Sequence, residues 1–455
     1  MLEYTTGLLR RNKKKFLISS GIIGVGYYVT KTINSKIQEF QKRIREENFA
    51  KEQIKRRFHQ TQSDCYMTFL SLLPVLCEPI MDDLPVETIT KQLQIRRLEK
   101  QIGNKDVKNS GSTVLSDDFS TSQEGAISED TNKPTELKSK NQLWQELKIK
   151  AITRFLTLIY CESLLIVFLH LQLNILSRKS YLETAIRLAS ETHGIDLVDQ
   201  ESNGDFSSDA QDENLSEQAF LSFSWWLLNK GWLEIKNKIE PCVEQHFGSI
   251  NPRQQLKIND FAELLNKCQN CIDLKVLNLT EEDIHLGVGV IEKRSQSVGK
   301  KSTNSITNAL LPPKEFEFFL LQQTNDLDFL SRFNNNIVNT ESLNMLLDEL
   351  NNYLNNAEIN LIVNKLATLG ITKVLDEIIL NLVQKSQPNL VSDMSIGEID
   401  LNDLPPYKLA ALLANITKQS ISLTNNSVEN PILAELNNLP ELNDLSASVY
   451  SNFDP

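Results

Sequence analysis

Residues 16–30, FLISSGIIGVGYYVT, carry no charge and lie between Lys13-Lys14-Lys15 and Lys31. Such a stretch near one end of a chain has three fates: a membrane anchor, a cleaved signal peptide or a buried core helix. As a helix it covers about 22 Å at 1.5 Å per residue, short of the roughly 30 Å hydrocarbon layer. Lysines on both flanks can extend their stems outward, which keeps a span feasible in a thin membrane. Val25-Gly26-Tyr27-Tyr28 offers no A-x-A-like exit for a signal peptidase. A soluble core helix seldom carries so many cations on both sides. The expected reading is a transmembrane anchor over 16–33, behind a basic tail at 1–15. Charge leaves its orientation open: Arg10, Arg11, Lys13, Lys14 and Lys15 precede it, and Lys31, Lys36, Lys42, Arg43 and Arg45 follow.

The net charge of −12 hides an asymmetry. Residues 1–57 sum to +9, which leaves −21 on the rest. A basic head on an acidic body fits a membrane-proximal end and a solvated domain, and disfavours nucleic acid as the main partner. The cysteines at 65, 77, 161, 242, 268 and 271 are scattered through apolar helical contexts, as expected of reduced thiols in a cytosol-facing domain.

Beyond the anchor, Ile33, Ile37, Phe40 and Ile44 recur at helical spacing among many charges, predicting a charged juxtamembrane helix over 34–60. A helical bundle is expected over 61–423. Its first helix, from Thr61, contains Pro74, which should kink it. A second begins after Pro85 and runs to about Lys100. Polar, glycine-containing residues at 103–140, the acidic run 194–214 and residues 287–308 read as disordered insertions. A long helix is predicted from Asn141 to about Ser177, and a short one over 181–192. Leu156–Leu176 is apolar enough to cross a membrane. Glu162, His170, Gln172 and Asn174 interrupt it and favour a central core helix, with His170 a satisfied core histidine. Helices follow at 216–247, which holds Trp225, Trp226 and Trp232, and at 252–278, opened by Pro252. Others are expected at 312–333, 340–356, 358–385 and 405–423, before a weakly patterned tail at 424–455. No run alternates as a strand would, so the fold class is all-α.

The histidines at 59, 170, 193, 246 and 285 share no metal-binding spacing. Cys268-x-x-Cys271 stands alone on a helical pattern, without a second ligand pair. Gly299-Lys300 fails as a P-loop because Arg294 and Lys301 occupy its glycine and hydroxyl positions. Gly21, Gly24 and Gly26 lie within the anchor, with no strand before them. The residues therefore assign no catalytic group, metal or cofactor. They describe a membrane-tethered helical interaction protein, not an enzyme.

Five segments in order resemble peroxisomal biogenesis factor 3, the peroxin-3 family, in its fungal form. They are LRRNKKKF at 9–16, CYMTFLSLLPVL at 65–76, LWQELK at 143–148, Thr153-Arg154 and LQLNI at 171–175. The resemblance implies a single-pass peroxisomal membrane protein with its N-terminus in the matrix and its main domain in the cytosol. The basic residues 10, 11, 13, 14 and 15 would serve membrane targeting. It also implies docking of the import receptor and chaperone peroxin-19, which delivers membrane proteins, through an amphipathic helix laid in an apolar groove. The matching groove positions are Leu93, Lys140 and Trp144. Fungal members also resemble platforms for organelle-inheritance and pexophagy adaptors, though no motif here marks those sites. The alternative is a signal-anchored tether of the endoplasmic reticulum or outer mitochondrial membrane. From helical spacing alone, Trp144, Leu147, Ala151 and Phe155 would all be core.

Overall fold

The computed structural model describes residues 48–49, 51–109, 138–193, 215–280, 282–283, 305–386 and 404–452. The anchor at 16–33, the basic tail and most of the charged helix at 34–60 lie outside these residues. So does most of each of the three insertions. The chain divides into two units, Met1–Thr61 and Gln62–Pro455. In the first, residues 51–61 are helical, with an Arg56–Glu52 ion pair one turn apart.

The second unit is built around one helix. It comprises α1 (62–83) and α2 (Val86–Asn109), then α3 (Lys140–His193) and α4 (215–222). A short helical lead-in, Ser224–Trp226, and a π-helical turn, Leu227–Gly231, precede α5 (Trp232–Phe247). Next come α6 (Ile258–Ile272), a second π turn (Asp273–Leu277), α7 (Ser305–Leu310) and α8 (Lys314–Thr324). The order ends with α9 (Leu327–Asn335), α10 (Ile337–Leu354), α11 (Ala357–Ser386), α12 (Leu409–Leu423), α13 (Pro431–Asn437) and α14 (Pro440–Ser451). The all-α expectation holds, apart from one short antiparallel ladder of Gln255–Leu256 with Tyr407–Lys408.

Every residue of α3 from Ala151 to Gln172 is buried. A helix apolar on all sides needs neighbours on all sides, and α2, α5, α10, α11, α12 and α14 pack against it. Its most apolar window meets the length and composition of a membrane span yet is wholly enclosed in the unit, as a core helix should be. His170 has two partners, Asn437 at 3.1 Å through Nε2 and Ser446 at 2.8 Å through Nδ1. Burial pushes it down to about 4, so it is a neutral structural group.

Several predicted boundaries move, each for a visible reason. The break expected near Ser177 is absent, because its polar side chains find tertiary partners. Arg178 reaches Glu349 and the Val449 carbonyl, and Lys179 reaches Glu217. The 103–140 insertion begins late, since α2 runs on to Asn109, and the 287–308 insertion ends early in α7. Pro252 does not open a helix. Instead, the Pro252 and Gln254 carbonyls accept from the Ala410 and Leu409 amides, satisfying the start of α12. The 312–333 segment is two helices, because the Asp326 carboxylate accepts from the Phe329 amide and caps a new start. The tail read as weakly patterned forms α13 and α14, whose buried faces complete the core around α3.

The cysteine reading also changes. Cys242 on α5 and Cys271 on α6 are joined as a disulfide, with Cα atoms 5.9 Å apart. Cys65, Cys77, Cys161 and Cys268 are buried thiols. Antiparallel packing of α5 and α6, not the Cys-x-x-Cys spacing, selects the pair.

Two features give testable stability effects. A Cβ built on Gly231 would stand 1.8 Å from the Ala309 carbonyl oxygen on α7, so only glycine permits that approach. Gly231→Ala is expected to destabilise the unit by about 3 kcal/mol in denaturant unfolding. Asp273 is buried and raised to about 7, although Tyr160 (2.5 Å) and Asn364 (2.8 Å) donate to it. The folded state thus holds a proton that the unfolded chain has already released. The resulting stability is complete below the ordinary carboxylate range and is lost as pH rises through about 7. The melting temperature should fall as pH rises from about 4 to about 7, the interval between the unfolded and folded values, and Asp273→Asn should flatten the slope.

Candidate partner-docking site

Helices α2 and α3 run antiparallel, and two contacts set their register. The Arg154 guanidinium donates to both Glu87 oxygens, at 2.7 and 2.8 Å, and Arg96 donates to the Lys138 carbonyl. Arg154 holds the Glu87 carboxyl below its usual range. Residues near 87 therefore face residues near 154, and residues near 96 face those near 138. This register puts Leu93 level with the first turns of α3, where Lys140 and Trp144 lie.

The start of α3 is locally encoded. Ser139 and Gln142 exchange backbone–side-chain hydrogen bonds of 2.6 and 3.3 Å, forming a capping box that begins the helix at Lys140. One turn on, Lys138 and Lys150 both pair with Glu146, at 2.7 and 3.2 Å. Partial burial works against ionising Glu146, but the two lysines hold its carboxyl below the usual value. Lys148, buried beneath this surface, donates to the Gly248 and Ile250 carbonyls at 3.0 and 2.6 Å. It closes the C-terminal end of α5.

The three positions differ in character. Leu93 is 7% exposed and belongs to the core, whereas Lys140 is half-buried at the first residue of α3. Trp144 is partly buried, seated on the core with part of its ring open to solvent. Two further apolar side chains were missed by sequence reasoning. Ile95 and Leu98, three residues apart on α2, are both more than half exposed. Their signal was present as a second apolar stripe, offset from the buried one at Val86, Ile89 and Leu93. The stretches 91–98 and 138–150 carry Lys91, Arg96, Arg97, Lys138, Lys140 and Lys150, with Glu146 the one acid within them. Exposed apolar side chains among basic residues, on an otherwise acidic unit, suit a helix that is apolar on one face and acidic on the other.

Comparison with known proteins agrees with the order of segments. The model of the family described as Peroxin-3 matches residues 7–452. Proteins named peroxisomal membrane protein PEX3 from Komagataella pastoris and Komagataella phaffii are each 94% identical, over the full length of both chains. A Debaryomyces hansenii protein named peroxisomal biogenesis factor 3 is 32% identical across 98% of both chains. The Homo sapiens protein of that name is 26% identical over 273 residues, covering 60% of this chain and 58% of its own. A family match running from the basic tail to the last helix, with relatives aligned end to end, leaves one assignment: the chain belongs to the Peroxin-3 family.

Proposed function

We propose that this chain is a non-catalytic peroxisome-biogenesis factor of the peroxisomal membrane. Its apolar stretch at 16–33 is the anchor, its short N-terminal tail faces the matrix and its helical unit faces the cytosol. The unit docks the amphipathic helix of the import receptor peroxin-19 across the α2–α3 end, and thereby directs insertion of peroxisomal membrane proteins. The observation that carries this reading is the half-open Trp144, level with Leu93 in the α2–α3 register, on an end of the unit where α2 also exposes Ile95 and Leu98 and where both helices carry lysines and arginines. The family membership supports the peroxisomal setting.

Burial separates two kinds of substitution. Trp144→Ala in the full chain is expected to weaken peroxin-19 binding at least about tenfold, in line with interface tryptophans, without change in helicity or melting. Leu93→Ala removes a core side chain and should lower stability by about 2–4 kcal/mol, so any loss of binding there would accompany a lower melting temperature. Unaltered affinity in Trp144→Ala would overturn the docking assignment. Location has its own test: residues 1–45 fused to a fluorescent protein should give peroxisomal puncta. A reticular or mitochondrial pattern would favour a tether of those membranes.

A further inference from the structure

The unit carries a second apolar surface, far from Trp144 and opposite in electrostatic sign. On α8, Phe316, Phe318 and Phe319 are 47%, 50% and 42% exposed. Phe319 meets the ring of Trp225 edge-on at 6.3 Å, and Phe316 lies 6.1 Å from that of Trp226. The Trp226 indole is fixed in place, since its Nε1–H donates to the Asn308 carbonyl at 3.1 Å. Leu221, one turn before Trp225, extends the exposed apolar surface. Rigid aromatic side chains held half-open in a cluster are the composition of a binding surface, not of an ordinary solvated face.

This surface is not part of the α2–α3 end. The adjoining α4 is tied to α3 at Gln172, whose Nε2 donates to the Phe220 carbonyl at 2.8 Å. Gln172 lies about 42 Å along α3 from Trp144 at 1.5 Å per residue.

Its rim is acidic. Between residues 314 and 349 stand Glu315, Glu317, Asp326, Asp328, Glu341, Asp348 and Glu349 against Lys314 and Arg332, with Glu349 taken up by Arg178 and Lys230 following Trp226 by one turn. Arg332 is already paired with Asp328 at 3.1 Å. Partial burial and the Asp348 charge raise the Glu317 carboxyl, with Lys314 opposing. An anionic lipid surface would be repelled by this rim. A helix with apolar residues on one face and lysines or arginines on the other would satisfy both the aromatics and the carboxylates. We propose that the Trp225–Trp226–Phe316–Phe318–Phe319 surface is a second docking site, for a basic amphipathic helix of a protein partner.

The test uses the full chain in nanodiscs of neutral phosphatidylcholine. The probes are a fluorescent amphipathic peptide of leucine and lysine and its counterpart with glutamate in place of lysine. The lysine peptide should bind and the glutamate peptide should not. Phe316→Ser/Phe318→Ser/Phe319→Ser should weaken binding at least about tenfold while the far-ultraviolet dichroism is unchanged. Glu315→Lys/Asp348→Lys alters only exposed positions and should invert the preference between the peptides, whatever the aromatic variant does to folding. Trp144→Ala should leave both results intact. Equal binding of the two peptides, or binding indifferent to both multiple variants, would overturn the proposal. So would quenching of tryptophan emission by brominated lipid that disappears in Trp225→Phe/Trp226→Phe, because that would make the surface a lipid contact.

Discussion

The constraint on which the structure depends is the complete enclosure of α3. A helix apolar around its whole circumference has no solvent face, so its stability comes from helices laid against every side. The chain supplies them from residues as distant as α2 and α14. Enclosure also explains the polar groups inside. His170 and Asn174 find partners, and Arg154 reaches outward to Glu87. Among the described residues neither oxygen of Glu162 has a hydrogen-bond partner, and burial drives its carboxyl far above the usual range, so it is held as the neutral acid. A lone buried acid costs stability, and no structural gain is visible to offset it.

Both proposed docking surfaces sit where enclosure stops. At the first turns of α3 burial is only partial, and Trp144 is left half-covered. Farther along the unit, α8 leaves a group of aromatics open beside Trp225 and Trp226. The two surfaces share an apolar centre and differ in rim charge, basic at one and acidic at the other. That difference would sort partner helices by the sign of their polar faces without requiring different folds.

Local patterns made the central architecture legible. The apolar run at 156–176, interrupted by Glu162, His170, Gln172 and Asn174, already separated a core helix from a membrane span. The Ser139–Gln142 capping box lay in the sequence as S-x-x-Q, whereas Trp144 was singled out only by the family resemblance of LWQELK. What could not be read is tertiary. The last two helices are only 7 and 12 residues long, so their pattern is faint until α11 and α3 cover them. The Cys242–Cys271 pair depends on how α5 and α6 pack. Pro252 resembles a helix opener and instead supports the start of α12, a residue more than 150 positions away. Trp225 and Trp226 were visible as residues, but their half-open setting against α8 was not.

The central claim is that the open end of α3, and not another face of the unit, receives peroxin-19. Hydrogen exchange of the full chain with and without peroxin-19 tests it most directly. The account predicts slowed exchange over α2 near Ile95 and α3 near Trp144, with the Trp225–Phe319 surface unchanged. Protection centred on α8 or α10, with none at the α2–α3 end, would contradict it.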